Sequence, residues 1–446
     1  MFAVCLIVLF GMLAFAIDLG YIVLGRTQLQ CGVDAGAMAG TAVLAEDPSL
    51  AEATAIDYVQ ENSVGTRQVE PSEIQVTLGT WEESRRTFAP GGDPPSAVRV
   101  VAQLDDYPLF FARVLNARDT SISAEAVATF LPRDIMVVLD YSASMNDDSE
   151  LKQIGSLGRS AVEANLQQIY TELGSPCYGN MQWRPVYISS SSTRTVKRTL
   201  GLTRVGYPYP SGSWDHYIRY VMTNNNVRRA GYRKKYGYLT LVNYWLESQP
   251  MYRETPDLWK TSEQPITAVK DAVTLLLAYI QEVQSNDRVG LAVYTHPDGG
   301  AKLETGLTRN MQLVEQISRE RQAGHYDHYT NIGAGLHTAR IELEQNARLG
   351  ALKMIVLMTD GQANRPRGWA DRFVLEETQL CAADRFPVIT VSLGANADTS
   401  LMQQVAEMTD GLHFNIPGGR SVSEYEEDLK DVFREIAAHR PLKLVK

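Results

Sequence analysis

Asp140, Ser142 and Ser144 stand at alternate positions of Asp140-Tyr141-Ser142-Ala143-Ser144, directly after the apolar segment Ile135 to Leu139. A carboxylate and two hydroxyls on one turn are hard oxygen donors, the kind that magnesium gathers into an octahedron. A second apolar segment, Met354 to Met358, ends in Thr359-Asp360-Gly361 and brings another carboxylate to a strand end. Between them, Tyr329-Thr330-Asn331-Ile332-Gly333 opens a helix and offers the Thr330 hydroxyl at its amino end. Two carboxylates offset most of a divalent charge while neutral hydroxyls donate weakly, so an ion held this way retains affinity for one more anionic oxygen. Manganese accepts the same donors. Taken singly, each Ser or Asp reads as a helix cap after a strand. Three segments agreeing at once favour a metal site.

Catalytic chemistries fit these residues less well. A phosphatase with an aspartyl nucleophile needs a second Asp two positions on, where Ser142 stands, and a nucleophile elbow needs glycines that Tyr141-Ser142-Ala143 lacks. His325 and His328 precede Thr330, but an isolated H-x-x-H without further ligands reads as loop.

The elements that must position these donors follow from Asp134 onward. IMVVLD, VGLAVYT, MIVLMTD and PVITVSLGA are short apolar strands, and AVKDAVTLLLAYIQEV, MQLVEQISRE and NIGAGLHTARIELEQN are helices. This alternation predicts an α/β fold with a mainly parallel sheet flanked by helices on both faces. Ligands of such sheets bind beyond the carboxyl ends of the strands, where all five oxygen-bearing residues fall.

With D-x-S-x-S, then T, then D-G each at an element end, residues 133 to 440 resemble a von Willebrand factor A domain with its metal-ion-dependent adhesion site. That resemblance implies direct metal contacts from Ser142, Ser144 and Thr330, outer support from Asp140 and Asp360 through water, and an open position for a partner's carboxylate.

In a simple domain of that kind a helix follows the first metal turn at once. Here the matching stretch, Pro265 to Gln281, comes about 120 residues later, after a helix expected over Glu150 to Leu173 and an irregular region, an insertion of about 174–262. From Gly174 to Trp245 there are eleven Lys and Arg against one acid, Asp215, a local charge of +10 that leaves −20 on the remainder. The same stretch holds ten Tyr and three Trp. Basic and aromatic residues together suit anionic or sugar-like partners, which makes Arg228, Arg229, Arg233, Tyr232 and Tyr236, with Tyr141 of the metal turn, candidate ligand contacts. The competing expectation is an accessory subdomain whose aromatics form a core of its own.

The first 25 residues are apolar apart from Asp18, long enough to cross a bilayer. A retained single-pass membrane helix, with the metal domain on the extracytoplasmic side, is the expectation. Asp18 is costly in lipid unless paired, and its place near the end of the run suggests that it reaches the interface. Gly32, Gly36 and Gly40 recur every four residues on one helix face, a spacing that lets helices approach closely. The apolar start followed by TQLQCGVDAGAMAGTAVLA resembles the amino terminus of TadE/TadG-type Flp pilus-assembly proteins, without the basic pair that usually precedes the span. Residues 1–45 are accordingly read as the membrane and juxtamembrane helix. Residues 46–132 are read as a small β-rich module, with strands at Ile74 to Leu78, Ala97 to Val101 and Ile122 to Phe130.

Of the 446 residues 44% are hydrophobic and 21% charged, so the chain is globular. A net charge of −10 argues against binding nucleic acid as a whole chain. Of the four cysteines only Cys177 and Cys381 are candidates for a bridge between distant parts. The expectation is a non-enzymatic, membrane-anchored protein that binds a partner through magnesium, in surface adhesion or Tad-type pilus assembly. The rival is an assembly scaffold whose metal only stiffens the domain.

Overall fold

The computed structural model describes residues 2–44, 47–82, 85–92, 95–115, 119–282, 286–294, 300–394, 396–417, 422–438 and 442–446. The chain divides into two compact units, one of Met1–Pro132, Ile280–Ser285 and Ala437–Lys446, the other of Arg133–Tyr279 and Asn286–Ile436.

In the first unit a single helix, α1 (Phe2–Leu44), is followed by α2 (Ala51–Gln60), β1 (Ile74–Glu82), β2 (Thr87–Pro90), β3 (Ala97–Pro108) and β4 (Asp119–Phe130). The three expected strands are present and longer than read. The β1–β3 and β3–β4 pairs are antiparallel, and a C-terminal strand, Leu442–Leu444, pairs with the outer side of β4. The amino half of α1 exposes apolar side chains such as Leu9, Phe10, Met12 and Phe15, whereas Leu29, Val33 and Ala37, spaced by one helical turn, are fully buried. The membrane helix and the β-rich module, read as separate pieces, therefore share one core.

The glycine stripe finds its partner within the chain. A Cβ on Gly36 would lie 2.7 Å from the Ala55 carbonyl oxygen, and one on Gly40 would lie 3.0 Å from that of Ala51, so α2 packs backbone-close against α1. Bare glycines permit that approach.

The second unit is built on β5 (Arg133–Asp140). After an inserted subdomain come α9 (Ile266–Glu282), β8 (Arg288–Tyr294), β9 (Ala301–Thr308), α10 (Met311–Arg319), α11 (Ile332–Asn346), β10 (Leu352–Thr359), α12 (Ala370–Ala383), β11 (Val388–Leu393), α13 (Thr399–Met408) and β12 (His413–Ile416). The sheet order is β12-β11-β10-β5-β8-β9, parallel except for β9, as the apolar strand runs require. Every residue of β5 is buried, and the chain leaves it for β8 on one side and later for β10 on the other. That reversal leaves a crevice at the carboxyl end of β5. At the opposite end, Asp134 is held by Arg288 at 2.7 Å and Arg348 at 2.6 Å, and the buried Arg133 pairs with Asp287 at 2.9 Å.

The inserted subdomain is mainly helical: α3 (Ile154–Leu157), α4 (Arg159–Glu172), β6 (Val186–Tyr187), α5 (Thr193–Thr199), α6 (Trp214–Thr223), α7 (Asn225–Arg229), β7 (Lys235–Tyr236) and α8 (Tyr238–Ser248). The helix expected over Glu150 to Leu173 is broken before Arg159, because Gly158 takes φ +83°. Trp214, Tyr217, Tyr220, Tyr236, Tyr238, Tyr244 and Trp245 form one buried cluster with Leu166 and Ile169 of α4. The aromatics thus build a core of their own, and that core begins before residue 174.

Candidate metal centre

Asp140 closes β5, and its carboxylate is fixed from two sides. The backbone N–H of Ser142 donates to Oδ1 at 2.8 Å, and the Thr359 hydroxyl, at the end of β10, donates to Oδ2 at 3.0 Å. Two neighbouring parallel strands therefore aim one buried acid into the crevice. The chain then turns through Ser142 and Ser144, whose hydroxyls lie 2.9 Å apart. Ser144 Oγ donates to Asp360 Oδ1 at 2.7 Å, which leaves Ser142 as the donor between the two serines. Thr330 sits just ahead of α11, with its N–H on Asn364 Oδ1 at 3.0 Å and its carbonyl accepting from the Asn364 N–H at 2.9 Å. A Cβ built on Gly361 would be 3.7 Å from both Ser144 Oγ and Thr330 Oγ1, so both hydroxyls face the same small space. The five oxygen-bearing residues picked from the sequence thus converge at one point.

The electrostatics describe a site short of positive charge. Asp140 is fully buried and Asp360 is 6% exposed. Burial, then the neighbouring Asp140 and Asp147, push the Asp360 carboxyl well above the ordinary carboxylate range. Burial also raises Asp140, against the hydrogen bonds from Ser142 and Thr359. Asp148 is pushed up to about 6 by burial and by Asp147. Two carboxylates taken out of water this close together favour either a shared proton or a cation. The donor chemistry fits a divalent ion: two acids to match its charge and three hydroxyls as neutral oxygens. Among the described residues no group of three or more His, Cys, Asp or Glu could hold a metal, so the hydroxyls are essential to this fit.

The candidate ligand contacts divide. Tyr141 is fully buried, and its hydroxyl donates to the Ser318 carbonyl at 2.9 Å, so it braces the metal turn from behind and is not a ligand contact. Tyr236 is fully buried in the subdomain core, and Tyr232 is buried with its hydroxyl held by Arg159 at 2.9 Å and by Glu163. Neither tyrosine is free to stack on a ligand. Arg228, Arg229 and Arg233 are exposed. The subdomain reaches the metal turn through α8: Asn146 Nδ2 donates to the Leu246 carbonyl at 3.1 Å, and the Leu151 N–H donates to Asn243 Oδ1 at 2.7 Å.

Thr359 and Asn364 are positioning residues that sequence reasoning passed over. Thr359 is adjacent to Asp360 and could have been found as the strand-end hydroxyl; Asn364 has no spacing signal. His325 lies against Tyr252 and Tyr326, at ring distances of 4.9 and 4.5 Å, in keeping with a loop residue. Cys177 is exposed and Cys381 buried, and both are free thiols.

Three family models match parts of the chain. The von Willebrand factor type A domain model matches residues 259–428, the TadE/G-like Flp pilus-assembly model residues 1–45, and a Tad-like Flp pilus-assembly model residues 35–128. The first match includes Thr330 and Asp360 and begins near the end of the insertion, so Asp140, Ser142 and Ser144 lie outside it and join it only through the pairing of β5. No curated protein matches. Solved structures with similarity include an aerotolerance-related membrane protein from Bacteroides fragilis, at 13% identity over 39% of this chain and 90% of that one, with a TM-score of 0.31. The pilus adhesin SpaC from Lactobacillus rhamnosus GG matches at 13% identity over 82% of this chain and 34% of its own, with a TM-score of 0.36. The PilB minor pilin from Streptococcus sanguinis matches at 10% identity over 82% and 88%, with the same score. With a central strand restored across its insertion, the second unit is a von Willebrand factor A domain, carried on a chain whose apolar helix and β-rich module match Tad-type pilus-assembly families.

Proposed function

We propose that this protein is membrane-anchored and binds a partner through a divalent cation, magnesium or manganese, in surface adhesion or Tad-type pilus assembly. The observation that carries this reading is the convergence of Ser142, Ser144, Thr330, Asp140 and Asp360 at the carboxyl edge of the sheet, with Asp360 buried beside Asp140 and Asp147. In this reading the three hydroxyls hold the ion and the two aspartates support it. A carboxylate from a protein or an anionic surface ligand completes its coordination. Exposed Arg228, Arg229 and Arg233 add a basic surface on the inserted subdomain, which favours an acidic partner. The site offers an ion and an open position but no activated nucleophile, so its task is binding rather than turnover. The matches to pilus-assembly families support pilus components as partners, and the apolar α1 supports a membrane anchor; in this reading the second unit lies outside the cytoplasm.

Calorimetric titration of magnesium into the full chain in detergent, beside Asp140→Ala and Ser142→Ala, tests this. Saturable binding that both substitutions abolish supports the adhesion-type site. A folded wild type that takes up no metal reduces these residues to caps and leaves an assembly scaffold as the function.

A further inference from the structure

Asp18 lies in the apolar run of α1, yet it is only 5% exposed. Its carboxylate accepts three backbone N–H groups from the loop after β3: Phe110 at 2.8 Å on Oδ1, Ala112 at 2.6 Å on Oδ2, and Phe111 at 3.1 Å on both. That loop presents two large apolar side chains outward, Phe110 at 55% and Phe111 at 45% exposure. We infer that Leu109–Phe111 is a second membrane contact, a wedge seated at the lipid interface beside α1, with Asp18 as the bracket that fixes its depth. The inference rests on α1 being a membrane anchor.

Three observations support lipid as the occupant. The exposed apolar residues Leu9, Phe10, Met12, Leu13 and Phe15 spread over about 220° of the helix at 100° per residue, and the wedge continues that surface. A second protein copy would cover one face; a bilayer surrounds all of them. An apolar cavity of about 600 Å³ opens between Phe10, Leu13 and Ile17 of the helix and Leu109 and Phe111 of the loop, room for an acyl chain. One turn beyond Asp18, the Tyr21 ring stacks on Tyr107 with centroids 4.8 Å apart and meets Phe110 edge-on at 4.7 Å, an aromatic cluster of the kind found at membrane interfaces.

The hydrogen bonding suits that depth. Where lipid excludes water, an unsatisfied backbone N–H is costly, and so is an unpaired carboxylate. Asp18 and the loop satisfy each other. From Gly25 onward one face of α1 is buried in protein, so the change from lipid to protein surroundings falls between Asp18 and Gly25.

The test places a Trp at Phe111, and separately at Phe110, in the full chain reconstituted into phosphatidylcholine vesicles brominated near the carbonyls or deep in the chains. The reading is the emission added over wild type. The wedge predicts that this added emission loses most of its intensity, more to shallow than to deep bromines, in whichever variant folds. Added emission that is unquenched and typical of water overturns the inference. So does a blue-shifted but unquenched signal, which would mean that protein, such as a second copy, covers the patch. Flotation of the wild type with the same vesicles checks the anchor by itself: a chain that floats while the added emission is unquenched retains its anchor and loses the wedge.

Discussion

Ser144 Oγ donates to Asp360 Oδ1 across 2.7 Å, joining the turn after β5 to the end of β10. The serine hydroxyl shares an acid that burial and three neighbouring aspartates have already driven toward protonation. Asp360→Asn should therefore stabilise the metal-free protein by about 1 kcal/mol while abolishing its response to magnesium. For the wild type, magnesium at a hundredfold excess over Kd should add about 2.7 kcal/mol. Thermal melts of both proteins with and without the ion distinguish the outcomes, and an asparagine variant that still rises in Tm with magnesium removes Asp360 from the site.

The helix contact at Gly36 tolerates no side chain. A Cβ there would come within 2.7 Å of the Ala55 carbonyl oxygen and 2.5 Å of Val59 Cγ2, so Gly36→Ala forces α1 and α2 apart. A cost of about 1–3 kcal/mol is expected, as for other overpacked contacts. Gly11, whose Cβ would meet nothing within 4 Å, is the matched control for urea unfolding of the full chain in detergent.

Core and surface of the inserted subdomain should separate cleanly. Trp245 is fully buried among Tyr207, Tyr209 and its neighbours, so Trp245→Ala should cost about 3–5 kcal/mol. Replacing exposed Arg228, Arg229 and Arg233 by Ala should leave unfolding within about 0.5 kcal/mol per site and weaken only partner association, more at low than at high salt. Unchanged association with an acidic partner would take these arginines out of recognition.

His325 supplies a pH dependence. Burial, then the charge of Arg321, lowers its pKa from 6.5 to about 4. The unfolded chain binds this proton more readily, so the stability it contributes is complete above pH 6.5 and is lost as pH falls toward 4. The full span is worth up to about 3 kcal/mol. His325→Gln should flatten the difference in Tm between pH 7 and pH 5 relative to wild type, and an unaltered difference would show that the histidine does not set it.

How much was legible in advance divides along physical lines. The parallel sheet and its five oxygen-bearing residues were readable because apolar runs ending in polar residues leave few choices of where a strand stops. Tyr141, Tyr232 and Tyr236 were read as ligand contacts because a tyrosine in a polar or basic stretch looks the same in sequence whether its ring faces water or a core. The place of Asp18 near the end of the apolar run was readable but its partners were not, since they are backbone N–H groups more than ninety residues away. The glycine stripe showed that a close approach was possible without saying to what. Only α2, a helix not anticipated, answered that.

The strand Leu442–Leu444 lies along the outer edge of β4, although about 310 residues separate them. During synthesis β4 must wait for that cover while the whole second unit is made, on the order of half a minute at ordinary elongation rates. Throughout that interval its open edge is a template for pairing with other nascent chains, so the first unit is closed only after the second has been made.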